Sequence, residues 1–294
     1  MLLARIDISN KGWTPAFVFI LGLSACTAAP IPNTKALSSE STPAPMMATP
    51  APNGFATLTA QAGSSGGEFD IPWAMELLYG NEGTLETDSQ GEVTVRIPRS
   101  PGSLDDQDQI IRIRLSTGFR EAGEDKYVLL TETGPEGTGA HAAMAQIGGA
   151  VFHIVAGVWR IEIEQRSITM MGSFGHEPAG DLMQIGPDRH GFLFEPDWMG
   201  QGNEVQYAIL IGDVGQTLKP IYNHEIFLHG ENGDSVWEYS SEMDFVPGGN
   251  PDYYDIHLTT QGTQPIQGTI EPFVKVEQFA FNGEEYILKD PGAG

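Results

Sequence analysis

The feature that most constrains this chain is a series of short runs in which apolar and polar residues alternate, separated by turn-forming residues. Glu92-Val93-Thr94-Val95-Arg96-Ile97 alternates with period two and stops at Pro98. Gln109-Ile110-Ile111-Arg112-Ile113-Arg114-Leu115 repeats the pattern, with Arg112 and Arg114 on one face. Residues 127–131, 151–155, 159–164, 205–211, 221–228, 253–259, 273–281 and 285–288 continue it. A period of two sends successive side chains to opposite faces of a strand, so these runs read as strands with one face buried. Asn282-Gly283 and Asn232-Gly233 read as hairpin turns, where positive φ is needed.

Two short helices interrupt the series. Pro72 stands at a first helical position, followed by Trp73, Leu77 and Leu78 and then Gly80; residues 140–147 form the second candidate. No run is long enough for the helical crossovers of a parallel sheet. The expected fold is therefore mainly β, an antiparallel sandwich or barrel-like domain with one or two short helices. The alternative is a small β-propeller, although no repeat of fixed period supports it.

Charge narrows the partners. The 15 basic and 39 acidic side chains give a net charge of -24. That balance opposes binding to nucleic acid phosphates or directly to an anionic lipid surface. The single cysteine, Cys26, forbids an intramolecular disulfide, so the domain depends on core burial, and 40% hydrophobic residues supply it.

The N-terminus gives an address. Arg5 and Lys11 precede the apolar stretch Pro15-Ala16-Phe17-Val18-Phe19-Ile20-Leu21-Gly22-Leu23, which is too short for the roughly 20 residues of a spanning helix. Leu23-Ser24-Ala25-Cys26 follows, and it resembles the lipobox of bacterial lipoproteins. The resemblance implies cleavage of residues 1–25 and a diacylglycerol thioether on Cys26. Loss of Arg5, Lys11 and Asp7 would make the mature chain one charge more negative. Thr27 stands where Asp signals inner-membrane retention in such lipoproteins, so the implied destination is the outer membrane, facing the periplasm. From residue 26 to 67, Pro30, Pro32, Pro43, Pro45, Pro50 and Pro52 are mixed with Ala, Ser and Thr, and Lys35 and Glu40 are the only charges. This composition predicts a disordered tether with a root-mean-square span of roughly 35 Å. Residues 68–294 are left as an acidic β-rich domain.

Four constellations bear on chemistry. Gly63-Ser64-Ser65-Gly66-Gly67 satisfies G-x-S-x-G, but no strand precedes it to make a nucleophile elbow. His224-Glu225-Ile226-Phe227-Leu228-His229 has a histidine spacing of five where the zinc motif needs four on a helix; in a strand, odd spacing points the two rings to opposite faces. Acidic loops offer oxygen ligands for calcium: Asp105, Asp106 and Asp108 after Pro101-Gly102, Glu231 and Asp234 in a turn, and Asp252 and Asp255 flanking Tyr253-Tyr254. None matches an EF-hand loop, and solvated surface explains them more simply. Aromatic residues are the fourth group. Trp198 lies in the loop-like Pro196-Asp197-Trp198-Met199-Gly200, and Trp237 and Tyr239 share one strand face; beside carboxylates such rings hold sugars or cationic groups. Core packing is the plainer reading of Trp237.

With no nucleophile, base and metal set in the pattern, the expected function is a non-enzymatic binding module on the cell envelope, its partner a protein or a glycan. An envelope hydrolase using carboxylates of the acidic loops and a calcium-dependent adhesion module are the alternatives.

Overall fold

The computed structural model describes residues 67–290, apart from 100–106, 138–142, 174, 176, 177, 201 and 234. The signal segment, Cys26, the tether and most of the Gly-Ser tract lie outside the described residues. Helix α1 spans Ile71–Tyr79. Asp70 caps it, its carboxylate accepting the Trp73 N–H at 3.0 Å, and Pro72 sits in the first turn, where its missing N–H is no loss. The Gly80 N–H closes the helix on the Glu76 carbonyl at 2.8 Å.

Everything else of regular structure is antiparallel strand. The first sheet runs in chain order through β1 (Thr84–Thr87), β2 (Val93–Ile97), β3 (Gln109–Glu121), β4 (Glu124–Pro135), β5 (Ala145–Val155) and β6 (Val158–Met171). The second holds β7 (Asp181–Gly186), β8 (Arg189–Phe194), β9 (Asp197–Gly200), β10 (Asn203–Asp213), β11 (Leu218–Asn232), β12 (Ser235–Val246), β13 (Asp255–Ile266), β14 (Thr269–Phe281) and β15 (Tyr286–Leu288). Its order is β15-β14-β13-β12-β11-β10-β8-β7. Strand β9 pairs with β10 further along the edge that β8 occupies, because Glu195 and Pro196 separate the two pieces.

Tight turns set this meander. Ala122-Gly123, Ala156-Gly157, Gly215-Gln216 and Gln267-Gly268 all have positive φ at both positions. Paired positive φ is the type I′ turn, whose twist matches that of the strands it joins. The two turns expected from Asn-Gly differ in detail. Asn232 pairs with Ser235 and so ends β11, which puts Gly233 (φ 62°) first in the turn. Between β14 and β15 a four-residue loop forms instead, with the Asn282 side chain accepting the N–H groups of Glu284 and Glu285 at 2.8 and 2.9 Å.

Three apolar clusters stack through the domain. Leu129, Ala150 and Phe152 of the first sheet pack under α1 with Phe69, Met75, Leu78 and Trp159. Val128, Leu130, Ile147 and Val151 point to the opposite face and meet Phe192, Phe194, Ile209, Ile211 and Leu218 of the second sheet. This is the sandwich interface. The other face of β8 and β10, carrying Leu193, Ala208 and Leu210, packs with Met243, Ile256, Leu258, Phe279 and Phe281 from the later strands of the same sheet.

That third cluster exists because the second sheet folds toward itself. Strand β11 pairs with β10 along its length but with β12 only from Phe227 to Asn232. Glu225 opposes Tyr207 and Phe227 opposes Gln206, so Ile226 is the extra residue of a bulge. Bulges bend a strand and let a sheet turn a corner. Beyond it Tyr222 of β11 meets Phe279 of β14 at 5.2 Å, although two strands separate them in the ladder.

The β-rich, sandwich-like expectation therefore holds. The propeller alternative is overturned: there are two stacked sheets, not radial blades, and neither closes into a barrel. One helix, α1, appears among the described residues. The second expected helix is corrected: Ala145 and Ile147 lie in β5 with both side chains buried, a period of two that a helix would not give.

Candidate aromatic binding face

Residues directly opposite in an antiparallel pair point to the same face of the sheet. Across the second sheet this rule connects Trp198 of β9 to Val205, Val205 to Leu228, Leu228 to Tyr239, Tyr239 to Gly262, and Gly262 to Phe273 of β14. A parallel row, two residues along, runs Gly200, Asn203, Gly230, Trp237. Tyr207, two residues from Val205, shares the face. The three aromatic residues singled out in the sequence thus share one face of the sheet, with Tyr207 and Phe273 added. None of the five belongs to the three cores. Trp198 is 42% and Tyr207 37% exposed; Trp237, Tyr239 and Phe273 are half-buried.

Two expectations are corrected here. The Trp198 segment is a strand, not a loop, held by the β9–β10 ladder and by the Tyr207 N–H donating to the Pro196 carbonyl at 3.0 Å. Trp237 is not in any of the three cores: the bulge and bend of β11 carry the apolar interior away from this end of the sheet, and the indole is half-buried over Gly230.

Glycines decide how the rings lie. A Cβ placed on Gly230 would fall against Cε2, Cζ2 and Nε1 of Trp237, and one on Gly200 against Cη2 and Cζ2 of Trp198. Each indole therefore occupies space that a side chain at its glycine would fill. Between Tyr239 and Phe273 stands Gly262, and across it the two rings meet edge to face at 5.6 Å. Such a ring pair contributes about 0.5–1.5 kcal/mol beyond its buried area.

Glu225 is the carboxylate tied to the aromatic row. The Tyr239 hydroxyl donates to Glu225, which stands opposite Tyr207. Burial raises the Glu225 carboxyl above its ordinary range. Further along the face the buried Ser241 and Thr260 hydrogen-bond at 2.8 Å, and the exposed Lys275 ammonium is held by Glu277 at 2.8 Å.

The acidic residues considered for calcium are placed otherwise. Asp108 accepts the Arg99 N–H at 3.0 Å and lies 3.5 Å from Arg96, which also binds Glu136 and Glu86. Glu231 and Glu238 bracket His229 at 3.3 and 3.2 Å, on the face opposite the aromatics. Asp105, Asp106 and Asp234 lie outside the described residues. Among the described residues no three His, Cys, Asp or Glu side chains gather as a metal site. The histidine pair also departs from expectation. The bulge at Ile226 offsets the odd spacing, so His224 and His229 oppose Ala208 and Glu204, on one side of β10. They still do not meet, because the bend sends His224 inward against Phe279 and Glu277.

Two further polar groups are structural in geometry. Lys126, 8% exposed, sits between Glu121 and Glu162 at 2.9 Å each, beside His190 and Asp213 at the sheet interface. Burial works against the Lys126 charge, but the bonds to Glu162 and Glu121 outweigh it and raise its pKa. The void there is about 10 Å³, room for one water. Asp255, 2% exposed, is held by Lys289 at 2.7 Å and Gln278 at 3.0 Å, and Gly248 of the preceding loop packs on its carboxylate.

No family model, no curated protein and no solved structure matches this chain. Its functional reading rests on the residues themselves.

Proposed function

We propose that this is a non-enzymatic binding module of the bacterial envelope, held to the outer membrane by lipid on Cys26, and that it takes its ligand on the aromatic face of the second sheet. The observation that carries the reading is the cross-strand row of Trp198, Tyr239 and Phe273 with Trp237 one row away. Trp198 and Tyr207 are exposed and Trp237, Tyr239 and Phe273 half-buried, all on one face and outside the three cores, and apolar surface gathered in this way marks an interaction site. The lipobox supplies the address, and the Pro-rich tether supplies reach. The reading has two tests. A Cys26→Ser precursor should leave the membrane fraction and lose lipid labelling; unchanged retention would remove the anchor from the proposal. Crosslinking in living cells should capture a specific envelope component with the native chain and lose it with Trp198→Ala/Trp237→Ala. Equal capture by both would place the ligand elsewhere.

A further inference from the structure

We infer that two copies of this chain pair through the open edge of β14, antiparallel and centred on Phe273, so that their second sheets run on into one another. The inference goes beyond the binding reading above and does not depend on it.

The first ground is an edge left uncovered. Strand β15 pairs with β14 only from Phe279 to Phe281, and the Lys289 N–H then donates to the Gln278 carbonyl at 2.7 Å. Among the described residues, no strand pairs with the outer side of β14 from Thr269 to Glu277. The other end of the sheet differs, since the Tyr254 N–H donates to the Ile185 carbonyl of the edge strand β7 at 2.7 Å. Register fixes what the open edge presents. Backbone groups alternate in direction along an antiparallel strand, so the outward Gln278 carbonyl sets those of Val276, Val274, Pro272 and Ile270 outward as well. Pro272 agrees, because proline is tolerated where its missing N–H would face away from the ladder. Val274 and Val276 are 70% and 68% exposed, the most of any large apolar side chain among the described residues.

The second ground is that residues 270–276 complement themselves. Laid antiparallel on a second copy about Phe273, Ile270 faces Val276, Glu271 faces Lys275, Pro272 faces Val274, and the two phenylalanines meet on the axis. Opposite charges and aromatic rings directly across a ladder both stabilise it. The N–H groups of Val274 and Val276 reach the carbonyls of Pro272 and Ile270 of the second copy, and the Ile270 N–H reaches the Val276 carbonyl. Lys275 is exposed and 2.8 Å from Glu277 of its own strand, which leaves room for a second carboxylate. Proline and lysine commonly guard an edge, and here they select the register. Centred on Val274, the ladder would set Glu271 against Glu277; centred on Lys275, it would set two lysines together. Centred on Pro272, it would face two residues with no N–H to give. The pairing also joins the two aromatic faces, because Phe273 ends the row that begins at Trp198.

The test uses the full chain carrying Cys26→Ser, which removes the lipid and the native thiol. The net charge of -24 opposes the approach of two copies, so the salt is about 0.15 M, where charges are screened beyond about 8 Å. Sedimentation from micromolar to sub-millimolar concentration should show a monomer–dimer equilibrium. Glu271→Lys and Lys275→Glu should each weaken it about tenfold or more by setting like charges opposite, and the two together should restore it. Phe273→Cys should crosslink two copies on oxidation with copper–phenanthroline. Facing residues at such a position have Cα atoms about 4.5 Å apart, within reach of a disulfide. A chain that stays monomeric, a dimer indifferent to Glu271→Lys, or a folded double variant that fails to recover the dimer would overturn the inference. Hydrogen exchange with β14 unaltered decides the matter even where a variant misfolds. The Val274 and Val276 amides should be protected at high concentration and exposed on dilution; protection that ignores concentration, or none at all, would equally overturn it.

Discussion

At the scale of single residues, the glycines under the tryptophans are as telling as the tryptophans. Gly230→Ala should push the Trp237 indole off its seat, destabilise the domain by about 1–3 kcal/mol as overpacked sites do, and weaken ligand binding in step. Urea denaturation of the variant measures the first; no loss of stability would mean the ring is free to move. The histidines of β11 make a second contrast. Burial lowers the His224 pKa below 6.5. The unfolded chain then binds the proton more readily, and stability falls as pH drops below about 6.5. His229 is also opposed by burial, but Glu231 and Glu238 outweigh it and raise its pKa. Its contribution is fully present below about pH 6.5 and is lost as pH rises through the raised value. His224→Gln should therefore flatten the loss of stability in mild acid, and His229→Gln should deepen it. Urea midpoints from pH 5 to 8 would separate the two, and parallel curves would refute the assignment.

At the scale of elements, the period-two runs made most of the strands legible. The signal failed where strands were short or polar. β1, β7 and β9 have at most six residues each, too few to establish a period, and β9 was masked further by Pro196 and Gly200, which read as loop. The candidate site was half legible: Trp198, Trp237 and Tyr239 were visible as aromatics, but their common face depends on register across six strands. Phe273 joins them only through Gly262, and Glu225 only through the bulge at Ile226; neither leaves a local trace. Hairpin turns give a prediction at this scale. Ala122 (φ 50°) and Ala156 (φ 52°) occupy left-handed positions that cost an ordinary residue roughly 1–2 kcal/mol and that asparagine tolerates better. Ala122→Asn and Ala156→Asn should each stabilise by about 0.5–1 kcal/mol. A rise in Tm checks this, and no rise in either would count against the turn assignment.

At the scale of the molecule, the two sheets share one interface and no ladder. Phe194, fully buried between them, holds both. Phe194→Ala should cost about 3–5 kcal/mol. It should destabilise the sheets together, because neither has another partner for that face. Trp73 and Trp159 pack with the first sheet and Trp198 and Trp237 stand on the second, so phenylalanine replacements can leave a reporter on either side. Coincident unfolding curves are expected, and two separated transitions would mean that the sheets are independent units.

The meander has a consequence in time. Every ladder but β8–β10 joins strands adjacent in the chain, and no ladder reaches from one sheet to the other. Pairings of short sequence separation form early and need little searching. The first sheet can be complete once residue 171 is available, and each later hairpin adds to an edge that already exists. A polypeptide that passes through a narrow channel from its N-terminus can thus assemble as it emerges, strand upon strand, until β14 brings Phe279 and Phe281 onto β8 and β10 and closes the last core.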